Sequence, residues 1–436
     1  MRPVADDHPF LRWSHARGID TSRVRLVQDD ATGERAVVCA DTDAIKADTV
    51  CLRVPFRACV GTSGLRCGAT SCPLDDGAEG SAKALYTPSD RLAATLAKIR
   101  WESERGVDDA WTPYVDALPR DVDSPVTGWT NEEIGEMQFA RGIGNCAKVK
   151  ARDAGTVKKL METHGEESWA KHWTWALACV RSRAVDLERG ESFLAPVLDM
   201  LNHSHGSANV KWDASEDGEA VVLRALTTVA PGEELVTQYA CEPAESFLLY
   251  MGFVGAMNPS DRVELWSSLS HAADWFAETF RSESGEIVLD KAAGRAVADE
   301  LEAQQRARER ASIVGLAGGA PANESAELKL REIQSTLMGP SVGWTTSYDE
   351  ALWLMFRHFS QALMPDENPD HYVMHAIKKR CEEILLSMKT TIEEDEALFS
   401  AEDTPRRLRL AVEYRLYKKC ILVRQLQGAE VGKRDA

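Results

Sequence analysis

Asn202, His203 and Tyr239 are the side chains of this sequence whose types and spacing best suit a shared chemical task. They stand about 36 residues apart within the stretch 193–254, which contains LAPVLDMLNHSHGSANV and then PGEELVTQYACEPAESFLLYMGFV. A carboxamide both donates and accepts hydrogen bonds, so Asn202 can read a neutral polar edge. A tyrosine hydroxyl can donate to one group and accept from another. Arg183, at the end of WALACVRSR, offers a guanidinium that pairs with a carboxylate through two parallel bonds. Each residue also has a plainer reading. Tyr239 can be a buried strand aromatic with a bonded hydroxyl, and Asp199 a turn carboxylate. Arg183 can be a helix-end arginine, and Phe253 a core phenylalanine. The pair His203 and His205 has metal-ligand character, but no further ligand stands nearby in the sequence.

These residues sit in a chain of 436 residues with 44% hydrophobic and 28% charged positions, enough for two or three domains with packed cores. Basic residues number 51 against 69 acidic ones, for a net charge of −18. Such a surface argues against direct nucleic-acid binding, which relies on basic patches. It favours cationic partners such as a lysine-rich protein segment, and it equally serves plain solubility. The 10 cysteines are scattered without a C-x-x-C pair. Cys59, Cys67 and Cys72 have gaps unlike those of a tetrahedral zinc site, so no metal is expected. Reduced thiols fit a cytoplasmic or nuclear setting. The N-terminus lacks the apolar core of a signal peptide, and no apolar run approaches the length needed to span a bilayer. The expectation is no membrane contact.

The elements that must position the site alternate in type. PFLRWSHARG reads as a short helix ended by Gly18. Strand-like runs follow at 23–27, 35–40 and 49–55, then a Gly- and Ser-rich loop over 61–88. A helical block opens with a cap at Ser89-Asp90, is broken at Trp111-Thr-Pro-Tyr114, and restarts from Thr130 or Asn131. One long helix is expected from Ser168 to Asp186, with Trp169, Trp173, Ala176, Val180 and Ala184 facing a core. NVKWD and AVVLRAL flank Asp217-Gly218, a hairpin signal, and a strand ending at Tyr239 follows the turn at Pro231-Gly232. Beyond Asn258-Pro259 the pattern turns helical, ending in the amphipathic RRLRLAVEYRLYKKCILVRQL.

Taken together and in order, these segments resemble the SET-domain methyltransferases, and within them the family of the Rubisco large-subunit methyltransferase. FLRWSHARG resembles the opening helix of that family. RLAATLAKIRWESERGVDDAWTPYVDALP resembles its helical insertion, with Trp-x-Pro-Tyr followed by Leu-Pro. The Ser-Arg at 182–183, the Asn-His loop, Tyr239 and EYRLYKKCILVRQL continue the match. The resemblance implies an α+β fold. Residues 1–88 would hold the opening helix and the first part of a SET domain of short curved strands, and 89–185 a helical insertion. The second part, 186–258, would carry a pseudoknot beside Tyr239, and 259–436 an all-α domain that docks a protein substrate.

The function implied is methyl transfer from S-adenosyl-L-methionine to a protein side chain, lysine by default, by a monomer. Tyr239 would be the catalytic tyrosine. Glu34, Arg35, Ala36, Arg183, Asp199, Asn202, His203 and Tyr239 would hold the cofactor. Ser182, Arg183, Met251 and Phe253 would line the substrate channel. Free lysine is almost fully protonated at neutral pH, so the channel must favour the neutral amine by desolvation. Three positions depart from the family pattern. Val37 and Ala240 stand where glycine is usual, and Val37 is expected to crowd the cofactor. Met251 replaces a tyrosine and softens the channel wall. That change keeps histidine open as the target, and the two lost glycines keep open a non-catalytic binding module.

Overall fold

In the computed structural model, the described residues are 1–427 without 30–31, 41–42, 63–66, 70, 76–85, 108–109, 188–191, 240–241, 256–257, 281–290, 317–338, 345–349 and 364–367. Ala240, Cys241 and most of the loop at 61–88 therefore lie outside the described residues. The architecture is α+β, in two compact units. The first comprises Met1–Trp129, Cys146–Cys241 and Ser246–Gly255. The second comprises Thr130–Asn145, Glu242–Glu245 and Ala256–Ala436.

The first unit is built on short strands. β1 (Arg2–Pro3), β2 (Val24–Gln28) and β3 (Arg35–Cys39) form one antiparallel sheet. β4 (Val50–Pro55) pairs with Ala220–Ala225, which pairs with Val210–Ala214. The expected hairpin at Asp217-Gly218 thus forms, with Gly218 at φ 69°. β-branched and leucine side chains from these strands meet the helical residues Leu92, Leu96, Trp173 and Leu177 in one buried core. Trp169, Trp173, Ala176 and Val180 are all buried, as their spacing predicts, while Ala184 is half-buried.

Several helix boundaries differ from the sequence reading, for local reasons. Helix Pro88–Glu104 is capped by Thr87, whose side chain and that of Asp90 exchange bonds in a capping box. The cap thus stands two residues ahead of the expected Ser89. Trp111-Thr-Pro-Tyr114 is no simple break. Pro113 sits in the first turn, where its missing N–H costs nothing, and opens the short helix Thr112–Ala117. The single helix expected over 168–186 is a 3₁₀ turn at Trp169–His172, then helix Trp173–Arg183, then a strand at Val185–Asp186.

The second unit is mostly helical. Its described elements include Leu269–Thr279, Pro369–Ser387, Ile392–Ser400 and Arg406–Gln427. It also contains an antiparallel pair that the sequence reading missed, Arg262–Glu264 with Ser341–Gly343. Strands of three residues are too short for alternation to register. Phe276 and Phe356 pack with ring centroids 4.8 Å apart, and Trp266 meets Phe356 edge-on at 5.3 Å.

The final helix buries charge as well as apolar groups. Arg415, Lys418 and Lys419 are at most 2% exposed. Asp395, fully buried, accepts from Arg415 Nε at 2.9 Å and Lys419 Nζ at 2.7 Å. Asp261 accepts from Lys418 Nζ at 2.6 Å. Burial alone would raise the pKa of Asp395, but the bonds from Arg415 and Lys419 outweigh it and hold the carboxyl below its ordinary 3.8. The stability this supplies is present above that ordinary value and is lost as pH falls through the depressed one. Asp395→Asn leaves Lys419 without its buried counter-ion and Arg415 with Glu136 alone. It is expected to cost about 3–5 kcal/mol in chemical denaturation and to remove this acid-sensitive component.

Candidate active site

The site grows from one short segment, 233–239, clasped on two sides. Toward β3, the Cys39 N–H donates to the Glu233 carbonyl at 2.8 Å and the Leu235 N–H to that of Val37 at 2.8 Å. Toward the Asn-His loop, Val236–Thr237 pairs in parallel with Asn202–His203. Parallel pairing of two-residue strands is weak by itself. Here Asn209 reinforces it: its Oδ1 accepts the Val236 N–H at 2.9 Å and its Nδ2 donates to the Glu234 carbonyl at 2.8 Å. The result brings Asn202, His203 and Tyr239 to one place in the first unit.

Tyr239 is held at both ends. Its backbone N–H donates to His203 Nδ1 at 3.0 Å, and its hydroxyl donates to the Leu201 carbonyl. Burial pushes the phenol up to about 12. At neutral pH it is therefore a fixed, protonated hydroxyl and not a base. The bond to His203 Nδ1 also sets that ring's tautomer, because Nδ1 must be unprotonated to accept. Nε2 then carries the hydrogen and faces His205 Nε2 at 3.0 Å. Burial, followed by the charge of His205, lowers the His203 pKa to about 4. His203, Phe247 and Phe253 form an aromatic wall around the tyrosine. His203 stacks on Phe247 at 4.7 Å, and Phe253 meets Tyr239 edge-on at 6.5 Å.

Beside this wall lies a buried charged group. Asp199 is only 8% exposed. It lies in the turn Leu198–Met200, entered through Val197 at φ 73°, a strained conformation for a β-branched residue. Arg183 donates from Nη1 to the Asp199 carbonyl at 2.7 Å. The Tyr114 hydroxyl donates to Asp199 Oδ2, and Arg35 donates to the Ala117 carbonyl. Desolvation raises Asp199 to about 6, against the pull of Arg183, Tyr114 and Arg35. Asp199 Oδ1 and Arg183 Nε are buried and hold no hydrogen-bond partner among the described residues. Polar atoms left in that state ordinarily carry a cost of about 1–3 kcal/mol each, which a bound polar ligand can offset.

The other expected residues fall as follows. Asn202 is exposed, and its Nδ2 donates to the Arg35 carbonyl at 3.0 Å and to Glu234 at 2.7 Å. Arg35 and Ala36 lie on β3, while Glu34 is exposed at the end of the preceding turn. Ser182 turns its hydroxyl back to its own helix, donating to the carbonyls of Ala178 and Cys179. Met251 ends the helix Ala244–Met251, half-buried. The preceding Tyr250 carries the Arg181 guanidinium over its ring at 5.3 Å. Gly252 adopts φ 75°, and a Cβ there would stand 2.3 Å from the Asp123 carbonyl oxygen, so only glycine fits. Val37 departs from the expected crowding: it is wholly buried in the core, so its side chain fills protein interior. Phe247, Glu234, Asn209 and Tyr114 were missed by the sequence reading. Only Tyr114 had a signal, the Trp-x-Pro-Tyr run.

Residues 38–240 match the SET domain, and residues 356–422 match the Rubisco LSMT substrate-binding domain. The chain is a SET-domain protein with a Rubisco LSMT substrate-binding domain. Its fold is similar to that of LSMT bound to methyl-lysine and AdoHcy, with a TM-score of 0.62 at 18% identity over 98% of this chain and 91% of that one. It is equally similar to Rubisco LSMT bound to AdoMet, with a TM-score of 0.62 at 18% identity over 97% and 91%. Among curated relatives, actin-histidine N-methyltransferase of Callithrix jacchus is 22% identical over 97% of this chain and 68% of its own length. These matches put the chain among the SET-domain protein methyltransferases. Among the described residues no helix is long and apolar enough to cross a membrane.

The depressed His203 pKa has a measurable sign. The folded ring stays neutral from pH 8 to 5, and its contribution to stability is lost as pH falls from 6.5 toward 4. Ring resonances of His203 in a proton–nitrogen NMR titration should stay flat above pH 5. A midpoint near 6.5 would contradict this assignment.

Proposed function

We propose that this chain is an S-adenosylmethionine-dependent protein N-methyltransferase whose preferred target is a lysine side chain. The observation that carries the reading is the parallel pairing of Asn202–His203 with Val236–Thr237, which sets Tyr239 against the Asn-His loop. The cofactor would be held by Glu34, Arg35, Ala36, Arg183, Asp199, Asn202 and His203, with Tyr239 at the reacting end. The residues present suit it. Arg183 has a buried donor to spend on a carboxylate, and Asn202 offers an exposed amide oxygen and the loop backbone a polar edge. When bound, S-adenosylmethionine would supply an electrophilic methyl carbon on a sulfonium. Tyr239, fixed by the Leu201 carbonyl, keeps its oxygen lone pairs free to accept from an incoming amine. The aromatic rings of Phe253 and Phe247 would desolvate that amine and favour its neutral form. Position, more than proton abstraction, is what this tyrosine contributes. The domain matched at 356–422 would dock the protein substrate, and the enzyme would act as a monomer in the cytoplasm or nucleus.

Histidine is the second reading. Curated relatives that match over nearly the whole chain include actin-histidine N-methyltransferases, and Met251 brings no hydroxyl to the wall. A non-catalytic binding module gains nothing from Val37, whose side chain lies in the core.

Label transfer from radiolabelled S-adenosylmethionine to hypomethylated extract should mark a protein band with the wild type. Tyr239→Phe should lower turnover roughly 100-fold or more while changing cofactor affinity only several-fold. Equal turnover by the two proteins would remove Tyr239 from its role. Acid hydrolysis of the labelled protein then decides between methyl-lysine and methyl-histidine.

A further inference from the structure

We propose that Tyr114, on the short helix Thr112–Ala117, is a positioning residue for methyl transfer. Its hydroxyl fixes the buried Asp199 carboxyl, and the backbone carbonyl of the same Asp199 accepts from Arg183 Nη1. The inference rests on the cofactor reading given above and adds a residue outside the SET strands to it.

Tyr114 is wholly buried. Its ring lies against Phe10, Trp13 and Trp111 with centroids 6.0–6.4 Å away. A phenol so placed needs a hydrogen-bond partner, and it finds Asp199 Oδ2. The same helix touches the site a second time, because its Ala117 carbonyl accepts from Arg35. One six-residue helix therefore fixes both the acid and one of the two arginines facing it.

The groups around Asp199 come from several elements. Tyr114 faces it from its own helix, Arg183 and Cys179 from helix Trp173–Arg183, and Arg35 from β3. Cys59 and Tyr239 also feel its charge. Among these groups the arginines bring the positive charge. Asp199 balances Arg183, and Tyr239 feels both. The Tyr114 bond favours the ionised carboxyl, since burial alone would drive it toward the neutral acid. Without that hydroxyl, Asp199 has no side-chain donor on Oδ2, and its Oδ1 already has none. It would then protonate at neutral pH, and the cofactor's own carboxylate alone would balance Arg183.

The test compares binding of S-adenosylmethionine, which is cationic at sulfur, with S-adenosylhomocysteine, which is neutral there. Calorimetry on the full chain between pH 5 and 8.5 reads the ratio of the two dissociation constants. In the wild type, the preference for the cation should fall roughly tenfold as pH drops through about 6. In Tyr114→Phe, which keeps the ring packing, the same step should move up by about one pH unit. Asp199→Asn should abolish the step and hold the ratio at its acid value, and it serves if Tyr114→Phe does not fold. A wild-type ratio flat across this range, or a Tyr114→Phe step at the wild-type pH, overturns the inference while leaving cofactor binding intact. Binding of neither ligand by the wild type overturns the cofactor reading and this inference with it.

Discussion

The site hangs on a parallel pairing only two residues long, Val236–Thr237 beside Asn202–His203. Alone, so short a ladder could not hold its strands together. It persists because the same segment is tied on its other side to β3 and from within by the Asn209 amide. The constraint is topological as much as energetic. A chain segment clasped between two others cannot drift, so a tyrosine two residues beyond the pairing inherits their rigidity. That is the physical requirement for methyl transfer, where alignment supplies much of the rate.

Electrostatics build on that frame. Arg183 and Arg35 lie close enough to Asp199 to oppose the rise that burial imposes on its carboxyl, and burial lowers Arg35 as well. Desolvation pushes Asp199 and Tyr239 up and His203 down. Each shift favours the uncharged form. The candidate site is thus a place where ionised groups must be balanced in pairs, and where the Tyr239 phenol and the His203 imidazole stay neutral at physiological pH. Such an environment also discourages the protonated form of an entering amine.

The second unit solves a different problem with the same physics. Its last helix reads as a basic amphipathic segment, yet Arg415, Lys418 and Lys419 are in the interior. Arg415 and Lys419 share Asp395 of the preceding helix, Arg415 also meets Glu136, and Lys418 meets Asp261. Burying ion pairs is seldom the most stable choice. It does demand one register of the final helix against its neighbours, because a shift of one residue would strand several charges at once.

The order of strands, insertion, strands and helices was legible in the sequence, because alternation, helical spacing and turn residues are local signals. So were Asn202, His203 and Tyr239 as residues worth watching, through their types and their likeness to a family. Helix boundaries were less legible: Thr87 and Ser89 are equally good caps on paper, and only the capping box to Asp90 chooses. Tertiary structure alone decided that Val37 points into the core, that Ser182 bonds to its own helix and that Gly252 sits under a carbonyl. It alone joined Tyr114 to Asp199, 85 positions apart. Local pattern determines which elements form, since it acts through neighbouring residues. Which charges end up buried together depends on how those elements pack, and no spacing along the chain records it.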